Sequence, residues 1–321
     1  MGDGPLSGAR SVEGLRHRVG SLARVGALLV LAVTLLAPPA VAEPTVTGLA
    51  PNAEPLDDAL GRVLDSGELV MAVRADAAPF SAELETTPGA FDGYSVDLCR
   101  RVVDAIARDA GRDVAIRYLP VSAQDRFEVL RQGQATLLCE ATTVTLDRPI
   151  TEKVDFSLLT FIAGGSYLFN RNGPPNFDDL DAGKIGAVAG TTASEGLRDA
   201  EERKYIEGNA RRDFADYPEA LIALEAGEID VLLGDRLILQ RILEDPKNGL
   251  EGTFDIADRY LSYEPYALAL PLNEPRLQRA VNGVLAELYR SGDISQLVNQ
   301  HFTLRELPPR LNAMFKIMAL P

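Results

Sequence analysis

The 321-residue chain carries 32 Lys+Arg against 47 Asp+Glu, a formal net charge of −15. A field of that sign repels nucleic acid and anionic membranes, which removes both as expected partners. Any anionic small ligand must therefore be held by local arginines against the global field.

The first 42 residues read as a cleavable signal peptide rather than as part of the fold. Arg10, Arg16, Arg18 and Arg24 form a basic start, diluted by Asp3 and Glu13, and VGALLVLAVTLLA is an apolar core too short to span a bilayer comfortably. PPAVA then ends in an A-x-A cleavage pattern at Ala42, and no cysteine follows the apolar core, so export to a periplasm without lipid attachment is expected. The rest of the chain is long enough for two lobes of ordinary size.

After a loose start (EPTVTGLAPNAEP), strands and helices alternate. ELVMAVR predicts a strand, GYSVDLCRRVVDAIARDAG a helix closed by Gly111, DVAIRYLP a strand, QDRFEVLRQG a helix and ATLLCEA a strand. This β-α-β-α-β run predicts a mostly parallel sheet with helices on both faces. The pattern restarts after FIAGGSYLFNRNGPPN: strand KIGAVAG, helix TTASEGLRDAEERKYI, helix PEALIALEAGEI, strand DVLLGD and helix RLILQRILED. RYLSYEPYALALP returns to strand, two helices follow through His301, and the tail ELPPRLNAMFKIMALP is a docked strap or a frayed end. The expected architecture is α/β with two lobes, residues 43–161 plus 263–321 and residues 162–262, joined by extended segments near 159–166 and 259–268.

Val96, Cys99, Val103 and Ile106 share one helical face, so Cys99 points at the core while Cys139 closes an apolar strand. In an exported chain the pair predicts one disulfide pinning helix to strand; two buried thiols are the other reading.

Several chemistries have no support. Beyond the leader the only histidine is His301, expected at the surface, so Ser-His-Asp, Cys-His and multi-histidine metal sites are not expected. Neither GxxxxGK[ST] nor GxGxxG occurs, and no cofactor is expected.

In open α/β sheets ligands bind beyond the carboxyl ends of the strands. Those ends carry Arg74; Ser122 and Arg126; Thr142, Thr143 and Arg148; GTTASE with Thr191 and Thr192; and Asp235. Each residue has a plain reading as a cap or a surface charge, but together they bring hydroxyls, arginines and one carboxylate to one rim. Thr192 with Glu195 fits a T-x-x-E capping box, and that helix start also attracts a carboxylate. A carboxylate clamp at Arg148 beside an ammonium acceptor at Asp235 describes an α-amino acid. Two further arginines expect anionic partners, either a ligand's side-chain carboxylate or nearby Asp and Glu.

The motif GYSVDLCRRVVDAI resembles the signature of the family 3 extracellular solute-binding proteins, the polar amino-acid receptors of ABC importers, with Ser95 where an acidic residue is usual. VRADAAPFS, PVSAQDRFEVLRQG and CEATTVTLDR resemble its glutamate/aspartate-binding branch. The resemblance implies a two-lobed periplasmic-binding-protein type II fold, a monomer that binds an amino acid by lobe closure, and an ABC permease of the inner membrane as partner. It implies that Arg148 binds the α-carboxylate with Thr143 and Thr192, that Asp235 binds the ammonium, and that Arg74, Ser122 and Arg126 hold a side-chain carboxylate. Ala141 stands where a serine is common and Tyr217 where the acidic-ligand branch has histidine. Two other readings belong to the same fold: an exported cyclohexadienyl or arogenate dehydratase, needing a general acid for which Glu140 is the candidate, and a sensor. The plain reading of Glu140 is a solvated turn carboxylate.

Overall fold

The computed structural model describes residues 58–173, 184–206, 210–302 and 307–321; the expected signal peptide and the start that follows it lie outside these. Ten α-helices and thirteen strands follow one another in the described residues. The first lobe opens with α1 (Ala59–Ser66), β1 (Glu68–Val73), β2 (Asp76–Ala77), β3 (Ser81–Glu83), β4 (Phe91–Asp92), α2 (Tyr94–Ala110), β5 (Ala115–Pro120), α3 (Arg126–Arg131), β6 (Leu137–Leu138) and α4 (Arg148–Thr151). The chain crosses over through β7 (Val154–Ala163) and β8 (Gly165–Asn170). Next come β9 (Ile185–Val188), α5 (Thr192–Glu202), β10 (Arg211–Phe214), α6 (Tyr217–Glu225), β11 (Val231–Asp235), α7 (Arg236–Glu244) and β12 (Phe254–Ile256). It returns through β13 (Glu264–Pro271) to α8 (Pro275–Ser291), α9 (Ile294–His301) and α10 (Pro309–Met318).

Two five-stranded sheets result, ordered β5-β1-β6-β13-β7 and β10-β9-β11-β8-β12. Strands β5, β1 and β6 are parallel, as are β10, β9 and β11, which matches the alternating sequence pattern. The expectation of mostly parallel sheets needs correction at the other edge of each. There β13 runs antiparallel to β6 and β7, and β8 runs antiparallel to β11 and β12. The reason is the double crossing: a chain that leaves one sheet through β7 and comes back through β13 enters with opposite sense.

The crossing is tight. A Cβ on Gly164, between β7 and β8, would lie 2.4 Å from the Tyr260 ring and 2.7 Å from the Ser262 carbonyl oxygen, so only glycine lets the two connections pass. Glu264, the first residue of β13, pairs with Ala163 beside it. The small β2-β3-β4 sheet and α1 were not expected; strands of two or three residues are too short to show a period. The tail is a docked helix: Leu311, Met314 and Phe315 of α10 are buried, and Phe315 stacks on Tyr289 of α8 at 5.1 Å.

Helix α2 buries Val96, Cys99, Val103 and Ile106 as its spacing predicts, and Gly111 closes it with φ 64°. Cys99 is bonded to Cys139, with the two Cα atoms 6.3 Å apart and a sequence separation of 40. Closing a loop of that length removes disorder from the unfolded chain, a stabilisation of about 2–4 kcal/mol. The double variant Cys99→Ala/Cys139→Ala is expected to lose about that much in urea unfolding. An unchanged midpoint means that packing alone holds α2 to β6.

Candidate functional site

Arg74 follows β1 and is buried to 2% exposure. Its backbone is fixed by Ser81, whose hydroxyl accepts from the Arg74 N–H at 3.0 Å and donates to its carbonyl at 2.7 Å. The guanidinium donates from Nε to Asp76 at 2.9 Å and has Glu140 at 3.7 Å from Nη1. Burial works against this charge, but Asp76 and Glu140 outweigh it and leave the pKa raised.

Arg126, first residue of α3, is buried as deeply and less well matched. Its Nη2 donates to the Gly190 carbonyl at 3.1 Å, and its Nε has Glu140 at 3.5 Å without a hydrogen bond. Nη1 has no hydrogen-bond partner among the described residues. Burial lowers its pKa to about 10; Glu140 opposes the shift and the neighbouring charges of Arg148 and Arg74 add to it. Arg148, on α4, donates from Nη1 to the Thr143 carbonyl at 2.6 Å and reaches Glu195 at 3.5 Å. The Phe127 ring lies 4.8 Å from the Arg126 Cζ and 5.3 Å from that of Arg148, so one aromatic ring serves two cations.

Glu140 is not a solvated turn carboxylate. It is buried to 1% exposure between Arg74 and Arg126 and accepts from the Thr142 hydroxyl. Two buried guanidiniums need an anion, and the strand end supplies it. Thr142 is thereby turned inward, away from the cleft. Ser122 is also turned aside: it lies outside the cleft lining, and its hydroxyl donates to Asp125 at 2.8 Å within the turn before α3.

The facing wall comes from the second lobe. The cap of α5 is Thr191, not Thr192: the Thr191 hydroxyl accepts from the Ser194 N–H at 3.3 Å. The expected Thr192–Glu195 capping box does not form: the cap stands one residue earlier, and Ser194, third in the helix, donates its hydroxyl to Asp213 at 2.8 Å. Glu195 reaches across to Arg148, and the Thr192 hydroxyl donates to Glu264 at 2.9 Å. Asp235 ends β11 and caps α7, accepting from Leu237 and Ile238 at 2.8 and 3.0 Å and from the Tyr266 hydroxyl at 2.7 Å. Burial raises its pKa to about 6; the hydrogen bonds from Tyr266 and the helix start oppose the shift and Glu264 adds to it. Tyr217 begins α6, donates its backbone N–H to Asp76 at 3.2 Å and holds its ring 5.9 Å from the Arg74 Cζ.

Arg74, Arg126, Ala141, Thr143, Thr191, Thr192, Tyr217 and Asp235 thus line one space between the lobes. Arg148 is not on the lining; its link to it is the hydrogen bond to the carbonyl of Thr143, which is. Glu264 and Tyr266 also line it, and the sequence reading missed both. They stand at the amino end of β13, and an antiparallel strand brings that end to the rim where its parallel neighbours end. The space is small, about 20 Å³, room for one or two waters. Gly190 explains how closely the walls meet: at φ +75°, a Cβ there would lie 2.5 Å from the Ala123 carbonyl oxygen.

Away from the cleft, His301 is not a surface residue. Its Nε2 lies 2.7 Å from Asp97, with 7% of its side chain exposed, and joins α9 to α2. Asp92, Asp97 and His301 are close enough to share an ion, but the Arg100 guanidinium already sits against both carboxylates, at 2.7 Å from Asp97 and 3.3 Å from Asp92.

The model of the bacterial extracellular solute-binding proteins, family 3, matches residues 69–304. The chain is 27% identical over 266 residues to the L-glutamate/L-aspartate-binding protein of Pseudomonas aeruginosa, covering 82% of this chain and 86% of that one. It is 26% identical over 243 residues to the ABC transporter glutamine-binding protein GlnH of Bacillus subtilis, covering 75% and 83%. Among solved structures, a substrate-binding protein of a Streptococcus pneumoniae ABC uptake transporter with bound histidine aligns with a TM-score of 0.66 at 19% identity, over 77% of this chain and 97% of that one. The ancestral amino-acid-binding protein AncCDT-1, a precursor of cyclohexadienyl dehydratase, aligns at 0.63 with 22% identity, over 76% and 99%. Both structures carry the fold, the type II periplasmic-binding-protein arrangement of two lobes.

Asp235 gives a prediction with a definite sign. Its pKa stands at about 6 in the folded protein against 3.8 ordinarily, so folding favours the protonated form. Stability from this group is greatest below pH 3.8, falls as pH rises toward 6, and stays reduced above it. Asp235→Asn keeps a capping side chain and is expected to stabilise the empty protein by up to about 3 kcal/mol at pH 7, with no gain at pH 3.5. Urea unfolding at the two pH values checks it; an equal difference at both removes the titration as cause.

Proposed function

The chain belongs to the bacterial extracellular solute-binding proteins, family 3, whose members bind amino acids and work with ABC permeases, and from that premise we propose that it is an exported, monomeric receptor for an acidic L-amino acid, glutamate or aspartate. The observation that carries the ligand class is Arg126: a buried guanidinium on the cleft wall, flanked by two more, with Nε and Nη1 unbonded. A carboxylate is the group that satisfies them.

In this reading Arg148 receives the α-carboxylate through Nε, which also lacks a hydrogen-bond partner. Asp235 receives the ammonium, and Arg126 with Arg74 receives the side-chain carboxylate. The ligand reaches groups on both lobes, so it favours the closed state by the contacts it makes only there. A space of about 20 Å³ admits no amino acid, so entry needs the lobes to part about Gly164 and the 257–263 connection. Among the described residues no helix is long and apolar enough to cross a membrane, which fits a receptor that hands its ligand to a separate permease.

A second ligand class has its own support. Asp76 and Glu140 already accompany Arg74, and with that charge matched a neutral amide side chain such as glutamine's fits beside it. Binding without chemistry is supported by the placement of Glu140. The candidate general acid lies outside the cleft lining with two guanidiniums on its oxygens, a poor position for proton donation to a bound substrate.

Thermal melting of protein stripped of ligand by unfolding and refolding, against a panel of amino acids, tests the proposal. A ligand at a thousand times its Kd adds about 4 kcal/mol, which is about 10 °C for a chain of this size. Glutamate or aspartate alone should give that shift; glutamine alone favours the second class, and no shift with any amino acid overturns the receptor reading. Arg126→Ala is expected to weaken glutamate by about 30- to 100-fold and glutamine by less than about tenfold, read by titration calorimetry.

A further inference from the structure

A second cavity lies at the crossing between the lobes, and its lining shares no residue with that of the cleft. Its volume is about 190 Å³, and a cavity of about 150 Å³ is enough to hold benzene. Phe161 and Phe302, stacked at 4.8 Å, line it with Leu237, Pro308 and Leu311. The charged groups on the lining are of one sign. The Arg236 Cζ lies 5.6 Å from the centre of the Tyr260 ring and the Arg310 Cζ 5.2 Å from it. Arg236 donates to the Ala257 carbonyl and Arg310 to the Tyr260 hydroxyl at 3.2 Å, which leaves further guanidinium N–H groups and the Tyr260 proton as donors. Among the described residues the lining holds no carboxylate, and neither arginine has one as partner. In a chain with 47 Asp+Glu, two cations brought to one tyrosine without an acid between them point to an anion from outside the chain.

We infer that this cavity is a second ligand site, one that takes a small aromatic carboxylate and couples its binding to lobe closure. The ring packs on the apolar lining around Phe161 and Phe302, and the carboxylate is received by Arg236 and Arg310. The coupling follows from which parts of the chain form the lining. Phe161 is in β7 and Phe302 follows α9, both of the first lobe, while Arg236 and Leu237 begin α7 of the second. Arg310 and Leu311 belong to α10, which is docked on α8 of the first lobe through Phe315. Gly164 and Tyr260 stand in the two connections about which the lobes part. A molecule held there touches both lobes, and parting them moves Arg236 away from Arg310. It therefore favours the closed state by the contacts it makes only there. The site itself does not depend on the receptor reading; its coupling to an amino acid rests on it.

Titration calorimetry with benzoate tests the site, with benzyl alcohol as the ring without the charge and acetate as the charge without the ring. Benzoate is expected to bind once per chain, at least about tenfold more tightly than either. Arg310→Gln removes a cation and Gln240→Trp fills the space, both at exposed positions, and each should weaken benzoate by about tenfold or more. If Gln240→Trp does not melt as the wild type does, Arg310→Gln decides. No benzoate binding overturns the inference. So does binding that both variants keep and Arg126→Ala loses, since that puts the ring in the cleft. With benzoate saturating, the amino acid identified by the melting panel should bind about fivefold more tightly, and the amino acid should tighten benzoate by the same factor. Equal affinities with and without benzoate overturn the coupling. A chain that binds no amino acid removes the receptor reading, while benzoate and the variants still decide the site.

Discussion

Everything at the cleft depends on one buried carboxylate between two buried guanidiniums. Glu140 stands 3.7 Å from Arg74 and 3.5 Å from Arg126, with almost no water to share the charge. A guanidinium in such a place is unfavourable alone and tolerable with an anion beside it. The match is deliberately incomplete in its geometry: Arg74 has a second carboxylate in Asp76, while Arg126 has none within hydrogen-bonding reach. One arginine is thus held in position and the other left wanting a partner. In a chain of net charge −15, this local inversion of sign is what gives an anionic ligand a place.

The second constraint is topological. Because the chain leaves the first sheet by β7 and re-enters by β13, the two crossing segments lie side by side at the floor of the cleft, close enough to require Gly164. The same crossing delivers Glu264 and Tyr266 to the rim from the opposite chain direction. Parallel strands bring arginines, threonines and Asp235 to that rim by their carboxyl ends, while the antiparallel one brings its amino end. The floor of the cleft is therefore made by the connection and the walls by the lobes.

Much of the fold was legible because long periodic helices and apolar strands carry strong local signals; α2 and its Gly111 cap are the clearest case. Strand direction carries no such signal, and the antiparallel β13 was accordingly unforeseen. At the site, strand-end logic found Arg74, Arg126, Thr143, Thr192 and Asp235 around one space, since each follows directly from where its strand stops. It failed where a side chain had a choice of direction. Thr142 and Ser122 sit at equivalent strand ends but turn to Glu140 and Asp125, and only their neighbours in space decide that. Glu140 was read as solvated for the same reason. A carboxylate after a strand looks like a turn residue until the two arginines, 66 and 14 residues earlier in the chain, are seen to close over it.

The disulfide has a consequence beyond the tie between a helix and a strand. Cys139 is the residue immediately before Glu140, so the covalent anchor and the electrostatic centre share one peptide unit. The carboxylate is thus held by a bond one residue away as well as by the packing that buries it to 1% exposure. The helix at the far end of that bond, though it gives no residue to the cleft lining, is thereby tied to the point from which the cleft's charges are arranged.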